Sequence, residues 1–231
     1  MSAEFEWANA FGSIARELSQ IQGLQPTLTR IAELATIVAA CPWAAVARAT
    51  DQHPVTAAVN DPTSAERIAH IQSLGGGGPT WDSVARAETI HVPDLAREDR
   101  WPEHVRLLLT TTPVRSILAF CLQLDGPPLG ALTLYSDRAE AFPERVVVAA
   151  TVYADHAAIA LDHEQTEERA DHLTAALQSS REIGVAIGIL VERYKITPDA
   201  AFDMLRTSSQ RSHRKLRDVA IDLVFTGSLP A

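Results

Sequence analysis

The stretch "RSILAFCLQLDGPPLGALTLYSD" (residues 115–137) decides the fold of the larger part of the chain. It contains two apolar runs, residues 115–125 and 129–137, joined by the turn "GPP". Apolar runs of this length on either side of a short Gly/Pro turn predict two neighbouring antiparallel strands.

Three more strands are predicted upstream. The runs "WAAVARAT" (43–50) and "PVTAAVN" (54–60) are separated by "DQH" and predict a second hairpin, and "ETIHVPDL" (88–95) predicts a short strand. An antiparallel sheet is therefore expected. The glycine run at 75–78 is expected to be a loop; it lacks the following Lys-Ser or Lys-Thr of a phosphate-binding loop.

Helices are predicted before the first strand and between the third strand and residues 115–137. Residues 3–22 carry an apolar stripe at helical spacing, which either packs on its own domain or forms a dimer seam. A second helix is expected to reach Ala40, and residues 100–113 are expected to be helical in part, with a break at Pro113. The stripe consists of Trp7, Phe11, Ile14, Leu18 and Ile21.

A long helix is predicted from about Phe142 to about Tyr194, because no strong stop signal interrupts it. Within it, side chains spaced four and three residues apart form a heptad seam, but the seam contains His, Thr and Ser, so it is a weak coiled coil on its own. The seam runs through Val152, His156, Ile159, His163, Thr166, Ala170, Leu173, Leu177 and Ser180.

Charge is distributed unevenly along the chain. The whole chain has net charge −9, but residues 181–231 hold eight basic and six acidic side chains, net +2, so residues 1–180 carry −11. This balance argues against binding nucleic acid or anionic membrane over the whole surface. The two cysteines, Cys41 and Cys121, lack metal-ligand spacing and are expected to be buried thiols. With no signal peptide and no membrane-spanning run, a cytoplasmic location is expected.

The stretch "SSQRSHRKLRDVA" (208–220) concentrates four cations in an otherwise acidic protein. A helix starting at Thr197 and Pro198 is predicted, then a third helix from about Arg211 to Thr226 that ends at Gly227. On that third helix the cations lie opposite an apolar side, and their mutual repulsion favours an anionic partner such as phosphate. They are Arg211, Arg214, Lys215 and Arg217.

The end of the long helix carries a second unusual face. Ile183, Ala186, Ile187, Leu190 and Tyr194 form its predicted apolar side. The opposite side presents Arg181 with Gly184, Val185 and Gly188, and each glycine in a helix costs about 1 kcal/mol relative to Ala. This bare surface either admits a nucleic-acid base or backbone, or packs against another helix or a dimer mate.

The sequence contains no set of residues with the types and spacing of a known catalytic site. The eight histidines are scattered without metal-ligand spacing, and no serine has the context of a nucleophile elbow. Neither a metal nor a cofactor is predicted, and an enzyme is the least favoured class. His91 and His104 are weak haem-ligand candidates that are expected at the surface, whereas Trp81 and Trp101 are candidates for lining a ligand pocket.

Residues 180–230 resemble the ANTAR family of RNA-binding antiterminators. The matching features are the A-x-G-I-L core, the run "AFDMLRTSSQ", the helix "RKLRDVA" and the closing "TGSLP", in that order. The chain departs from many members at Ile187, where they carry Lys, and at His213, where Asn is common. Residues from about 25 to 163 resemble a GAF domain, through the two strands above followed by Phe142 and a long helix.

The resemblance implies an α+β GAF domain, with an antiparallel sheet flanked by helices, then a helical linker and an all-α, three-helix ANTAR domain. The expected divisions are residues 1–24 (N-terminal helix, a possible dimer seam), 25–163 (GAF sensor), 164–180 (coiled-coil linker) and 181–231 (ANTAR).

The resemblance also implies a homodimeric transcription antitermination regulator that binds paired stem-loops in mRNA leaders, with an unknown small-molecule ligand in the GAF domain. The RNA-binding residues expected are Arg181, Gly184, Gly188, Gln210, Arg211, His213, Arg214, Lys215 and Arg217. Two alternatives stay open: a DNA-binding transcription factor that uses the third C-terminal helix, and a ligand sensor whose C-terminal helices only dimerise.

Overall fold

A computed structural model describes residues 12, 16–18, 20–50, 54–61, 67, 70–71 and 77–229. The chain divides into two compact units, Met1–Thr166 and Glu167–Ala231, which we call the N-terminal unit and the C-terminal unit. Among the described residues, no helix combines the length and the apolar character that a membrane span requires.

The N-terminal unit is built on a five-stranded antiparallel sheet in the order β2-β1-β5-β4-β3. Both predicted hairpins are confirmed, since β1 pairs with β2 and β4 pairs with β5. The strands are β1 (Trp43–Arg48), β2 (Val55–Val59), β3 (Ile90–Val92), β4 (Ser116–Leu122) and β5 (Gly130–Ser136). The helices before the last strand are α1 (Leu24–Ala39), α2 (Pro79–Arg86) and α3 (Pro102–Thr111), with a 3₁₀ turn at Leu95–Arg97.

Both faces of the sheet are covered, which explains why its central strands are apolar along their whole length. One face packs against α1 and the first part of α4 (Glu144–Tyr194), and Tyr153 of α4 donates a hydrogen bond to the Ile31 carbonyl over 2.8 Å. The other face packs against α3, through Val105 and Leu108. Of the predicted N-terminal stripe, Leu18 and Ile21 pack on the face of the sheet that α1 and α4 cover. Trp7, Phe11 and Ile14 lie outside the described residues.

The C-terminal unit packs the last part of α4 against α5 (Pro198–Ser212) and α6 (Leu216–Thr226). The predicted start of α5 is confirmed, because the Thr197 side chain accepts a hydrogen bond from the Ala200 N–H. Gly227 ends α6 with φ 73°, as predicted. The core of the unit consists of Ala186, Leu190, Ala201, Leu205, Val219, Ala220 and Leu223.

Three predictions about individual side chains were wrong. Tyr194 was expected on the apolar side of α4, but it is the last residue of the helix and is 53% exposed. His104 was expected at the surface, but on α3 it is buried. Both cysteines carry free thiols, as predicted, but only Cys41 is buried, and Cys121 is half-buried.

Candidate nucleic-acid interface

The basic stretch is an elbow between two helices, so the prediction of a third helix starting at Arg211 was wrong. α5 ends at Ser212, and His213 follows in the left-handed conformation with φ 53°. The His213 N–H bonds the Gln210 carbonyl, and the Arg214 N–H bonds the Ser209 carbonyl over 3.1 Å. Lys215 is extended and precedes the first residue of α6. We call residues 210–217 the basic elbow.

Two of the four cations in the basic elbow are held by acids of the same unit. The Arg217 Nε lies 2.7 Å from a Glu182 carboxylate oxygen, and this hydrogen bond lowers the pKa of Glu182. The Arg214 guanidinium pairs with Asp222, with N and O 2.5 Å apart. Both pairs are partly exposed to solvent, so they orient the side chains more than they stabilise the fold.

The other two cations, Arg211 and Lys215, are exposed and have no ion pair within the described part of the chain. His213 and Gln210 are exposed beside them. The elbow therefore presents two unneutralised positive charges, an imidazole and a carboxamide to solvent, which are groups that can contact phosphates and base edges.

Arg181 lies beside the basic elbow. The Arg217–Glu182 pair holds the first turn of α6 against the turn of α4 that includes Arg181. Arg181 is exposed and has no ion pair among the described residues. The pairing thus brings the turn of α4 that includes Arg181 next to the first turn of α6.

Gly184 and Gly188 follow Arg181 on the exposed side of α4. A Cβ added at either position meets no atom within 4 Å, so packing inside this unit does not require these glycines. The surface is bare, as the spacing predicted, and is open to a partner from outside the unit.

The two tryptophans predicted to line a pocket lie in the N-terminal unit. Trp101 is 9% exposed, and the Arg100 guanidinium carbon lies 4.4 Å from the centroid of its ring. Trp81 is half-buried on α2. His104, a weak haem-ligand candidate in the sequence, has its ring packed against Gly78, and neither of its ring nitrogens has a hydrogen-bond partner among the described residues.

Comparison with known proteins identifies both units. A family model described as "GAF domain" matches residues 22–162, more than half of the chain, and the chain belongs to that family. A second family model, described as "ANTAR domain", matches residues 171–224. The protein is therefore built as a GAF–ANTAR regulator, a combination of two regulatory domains. No curated protein sequence matches the chain.

Solved structures share the GAF fold at low sequence identity. The GAF domain from an Acinetobacter phosphoenolpyruvate-protein phosphotransferase is 12% identical, with a TM-score of 0.56 over 73% of this chain and 99% of that one. The corresponding domain from Coxiella burnetii is 17% identical, with the same TM-score and coverage. Free methionine-R-sulfoxide reductase from Neisseria meningitidis is 16% identical, with a TM-score of 0.56 over 72% and 95% of the two chains.

Proposed function

We propose that the protein is a transcription antitermination regulator that binds paired stem-loops in nascent mRNA through the basic elbow of its ANTAR domain. Binding stabilises the stem-loops against formation of a terminator, and transcription continues. The observation that carries the proposal is the pair of exposed, unneutralised cations, Arg211 and Lys215, on a domain that matches the ANTAR family within an acidic protein.

The chemistry of the basic elbow suits RNA loops. In loops the bases are splayed out, so side chains can stack on them or read their edges. Arg211 and Lys215 would contact phosphates, Gln210 and His213 would read or stack on bases, and Arg181 would extend the surface along α4. Arg214 and Arg217, which are held by acids, would orient the elbow and reach the RNA at its margin.

The test is binding of an RNA with two short hairpins to the full chain, measured by fluorescence anisotropy. Changing Arg211→Ala and Lys215→Ala together should weaken binding by at least tenfold, because each charge-assisted contact contributes about 1–2 kcal/mol. The matched control is Lys195→Ala with Arg206→Ala, since both of these exposed cations pair with acids away from the elbow. Equal losses in the two double variants would contradict the assignment.

A DNA-binding factor is less well supported. A recognition helix needs basic and polar side chains that reach base edges. The only cation on α6 is Arg217, which pairs with Glu182, and the exposed side of the helix carries Val224 and Phe225. Competition between a hairpin RNA and duplex DNA separates the two proposals, because preferential binding of duplex DNA would favour the factor.

We also propose that the protein acts as a homodimer, since two stem-loops suit two ANTAR domains. Along α4, several seam side chains are exposed, as the predicted coiled coil requires: Val152 (37%), Ile159 (57%), Leu173 (62%) and Leu177 (64%). Analytical ultracentrifugation of the full chain tests this, and a monomer at tens of micromolar would contradict it.

The GAF domain would supply the sensor, with Trp81 and Trp101 as candidate lining residues of a small-molecule pocket. Binding of a ligand next to these rings should quench the tryptophan fluorescence of the full chain. The quenching should be lost when both are changed to Phe. Unchanged quenching in that double variant would place the ligand elsewhere.

A further inference from the structure

Three side chains of the kinds that bind metal ions lie close together on adjoining turns of α4. The ligand atoms of His163, Glu164 and Glu167, one imidazole nitrogen and two carboxylate oxygens, all lie within 4.8 Å of one another. Among the described residues, no other set of three His, Cys or acidic side chains comes together in this way. His163 and Glu167 are exposed, whereas Glu164 is only 5% exposed. We call these three residues the α4 cluster.

Helix geometry explains why these three positions converge. α4 is continuous through them, and successive residues of a helix are about 100° apart around its axis. Glu167 therefore projects between His163 and Glu164, one turn further along the helix. Its spacings from them, four residues and three residues, are the two at which helical side chains are neighbours. A single element thus positions all three side chains around one point.

Glu164 is the member of the α4 cluster that most needs a positive partner. It lies on the inner side of α4, after Ala157 and Leu161, which belong to the core between α4 and the sheet. In the part of the chain that the structure describes, its carboxylate has no hydrogen bond and no ion pair. A buried carboxylate is costly unless a paired charge or a metal ion offsets its loss of hydration. The burial of Glu164 therefore favours a cation at this position.

The sequence around the α4 cluster is strongly acidic. Residues 162–171, "DHEQTEERAD", contain five acidic side chains and one basic side chain, Arg169. Arg169 follows Glu164 by five positions, which places it about 140° away around the helix. Acidic side chains three or four positions apart on a helix repel one another, as Glu164 and Glu167 do. A divalent cation between these two carboxylates would neutralise both and remove this repulsion.

We infer that the α4 cluster binds a divalent transition-metal ion, with His163, Glu164 and Glu167 as its ligands. One imidazole nitrogen and two carboxylate oxygens suit Zn²⁺, Co²⁺ or Ni²⁺, whereas Mg²⁺ and Ca²⁺ take oxygen ligands alone. Water would complete the coordination on the exposed side. No metal was predicted from the sequence, because only one of the three ligands is a histidine and acids are common on helix surfaces. The site goes beyond the proposed RNA binding and does not depend on it.

Isothermal titration calorimetry of the full chain with Zn²⁺ tests the ligands. His163→Ala and Glu164→Gln should each weaken Zn²⁺ binding at least about tenfold, because a lost ligand costs no less than a lost partner of a ligand. The matched control is Glu168→Gln with His172→Ala, since Glu168 and His172 are also an acid and a histidine four residues apart on α4. The control should bind Zn²⁺ as the wild type does.

Two results of this titration would overturn the inference. One is Zn²⁺ affinity unchanged from the wild type in either His163→Ala or Glu164→Gln. The other is an equal loss of affinity in the control, which would mean that any acid and histidine of α4 bind the ion. Glu164→Gln keeps the size of the side chain, and circular dichroism shows that each variant compared is folded.

Hydrogen exchange of the full chain locates the ion independently of its affinity. An ion that binds the folded helix stabilises it, so Zn²⁺ should slow the exchange of backbone amides around residues 160–168. Zn²⁺ at the same concentration should have little effect on these amides in Glu164→Gln. Slowing of the same size in Glu164→Gln, or none in the wild type, would mean that the ion is held elsewhere and that the inference is wrong. Neither measurement involves RNA, so failure of hairpin binding would contradict the proposed function alone.

Discussion

His213 shows how one backbone conformation shapes the candidate RNA surface. Its φ of 53° is in the left-handed region, which costs a residue with a Cβ about 1 kcal/mol relative to glycine. This conformation ends α5 and turns the chain so that Lys215 and Arg211 are both exposed at the elbow. The imidazole is thus placed at the tip of the turn, where a smaller residue would be the less strained choice.

We therefore predict opposite effects of His213→Gly on stability and on binding. The change should raise the local stability of the C-terminal unit by up to about 1 kcal/mol, measured by hydrogen exchange, because glycine relieves the left-handed strain. It should weaken hairpin RNA binding, because the imidazole is lost. Lys195→Gly is the matched control, since Lys195 has the same φ of 53° after α4. Equal RNA affinity for His213→Gly and wild type would remove His213 from the interface.

His104 makes the N-terminal unit sensitive to acid. Its side chain is 1% exposed, neither ring nitrogen has a hydrogen-bond partner in the part of the chain that the structure describes, and burial lowers the pKa of His104 to about 4. The unfolded chain binds a proton near pH 6.5, well above the folded one, so protonation favours unfolding. Stability is complete above pH 6.5 and is lost as the pH falls toward 4.

The expected loss from His104 between pH 7.5 and pH 5 is about 2 kcal/mol. Urea unfolding of the full chain at the two pH values measures it. His104→Leu should remove most of this difference, and a smaller dependence of the same sign should remain, because burial also lowers the pKa of His91. A pH dependence unchanged in the variant would show that other groups cause it.

His213 and His104 show what could not be predicted from the sequence. Glycine is the usual signal for a left-handed helix end, and none stands between Arg211 and Leu216, so a continuous helix was predicted there. Histidine is intermediate in its preference for burial, so the sequence did not indicate that His104 is inside the core. Both errors concern positions where tertiary packing overrides the local preference.

At the scale of elements, β5 depends on a close approach between two backbones. Gly130 starts β5 and pairs with Arg48 on β1. A Cβ built at Gly130 would lie 2.0 Å from the Ala47 carbonyl oxygen, which no real contact allows. The sheet can therefore keep this register only with glycine at this position.

Gly130→Ala should thus destabilise the N-terminal unit by roughly 2–3 kcal/mol or prevent folding, because the backbones of β1 and β5 must separate. Gly126→Ala is the control: a Cβ at Gly126, in the turn between β4 and β5, meets nothing within 4 Å. Thermal unfolding followed by circular dichroism compares the two. Similar melting temperatures for both variants would show that the strands move apart at little cost.

The elements themselves were predicted well where one strong pattern determined them. β4 and β5 are apolar along their length and joined by a Gly/Pro turn, and α4 contains no residue that would stop a helix before Tyr194. For the basic surface, the sequence predicted which residues are cationic but not how they are arranged in space. The sequence showed where the cations are, whereas the pairing of Arg217 with Glu182 depends on how α6 packs on α4.

At the scale of the whole molecule, the separation of charge along the chain bears on specificity. Residues 1–180 carry a net charge of −11 and residues 181–231 carry +2. An acidic protein repels nucleic acid over most of its surface, so the proposed RNA binding would depend on the local basic elbow and on the fit of the RNA to it. Few phosphates would then be neutralised, and shape and base contacts would supply much of the affinity.

This reasoning predicts a shallow salt dependence for hairpin binding by the full chain. Within the described part of the chain, Arg181, Arg211 and Lys215 are the cations of this surface that have no ion pair, so about three phosphate contacts are expected. The logarithm of affinity should then fall with a slope near −2 to −3 against the logarithm of salt. Between 50 and 200 mM salt the affinity should fall roughly thirtyfold. Each alanine change at these positions should reduce the slope by about one.

Fluorescence anisotropy titrations over this range measure the slope, with Arg206→Ala as the control because Arg206 pairs with Asp203. A slope of −6 or steeper would mean that the RNA contacts many more cations than this surface offers, and the basic elbow would then be only part of the interface. A slope of the expected size that does not change in Arg211→Ala or Lys215→Ala would place the phosphate contacts elsewhere. The charges of the elbow therefore make a quantitative prediction that RNA affinity at a single salt concentration does not test.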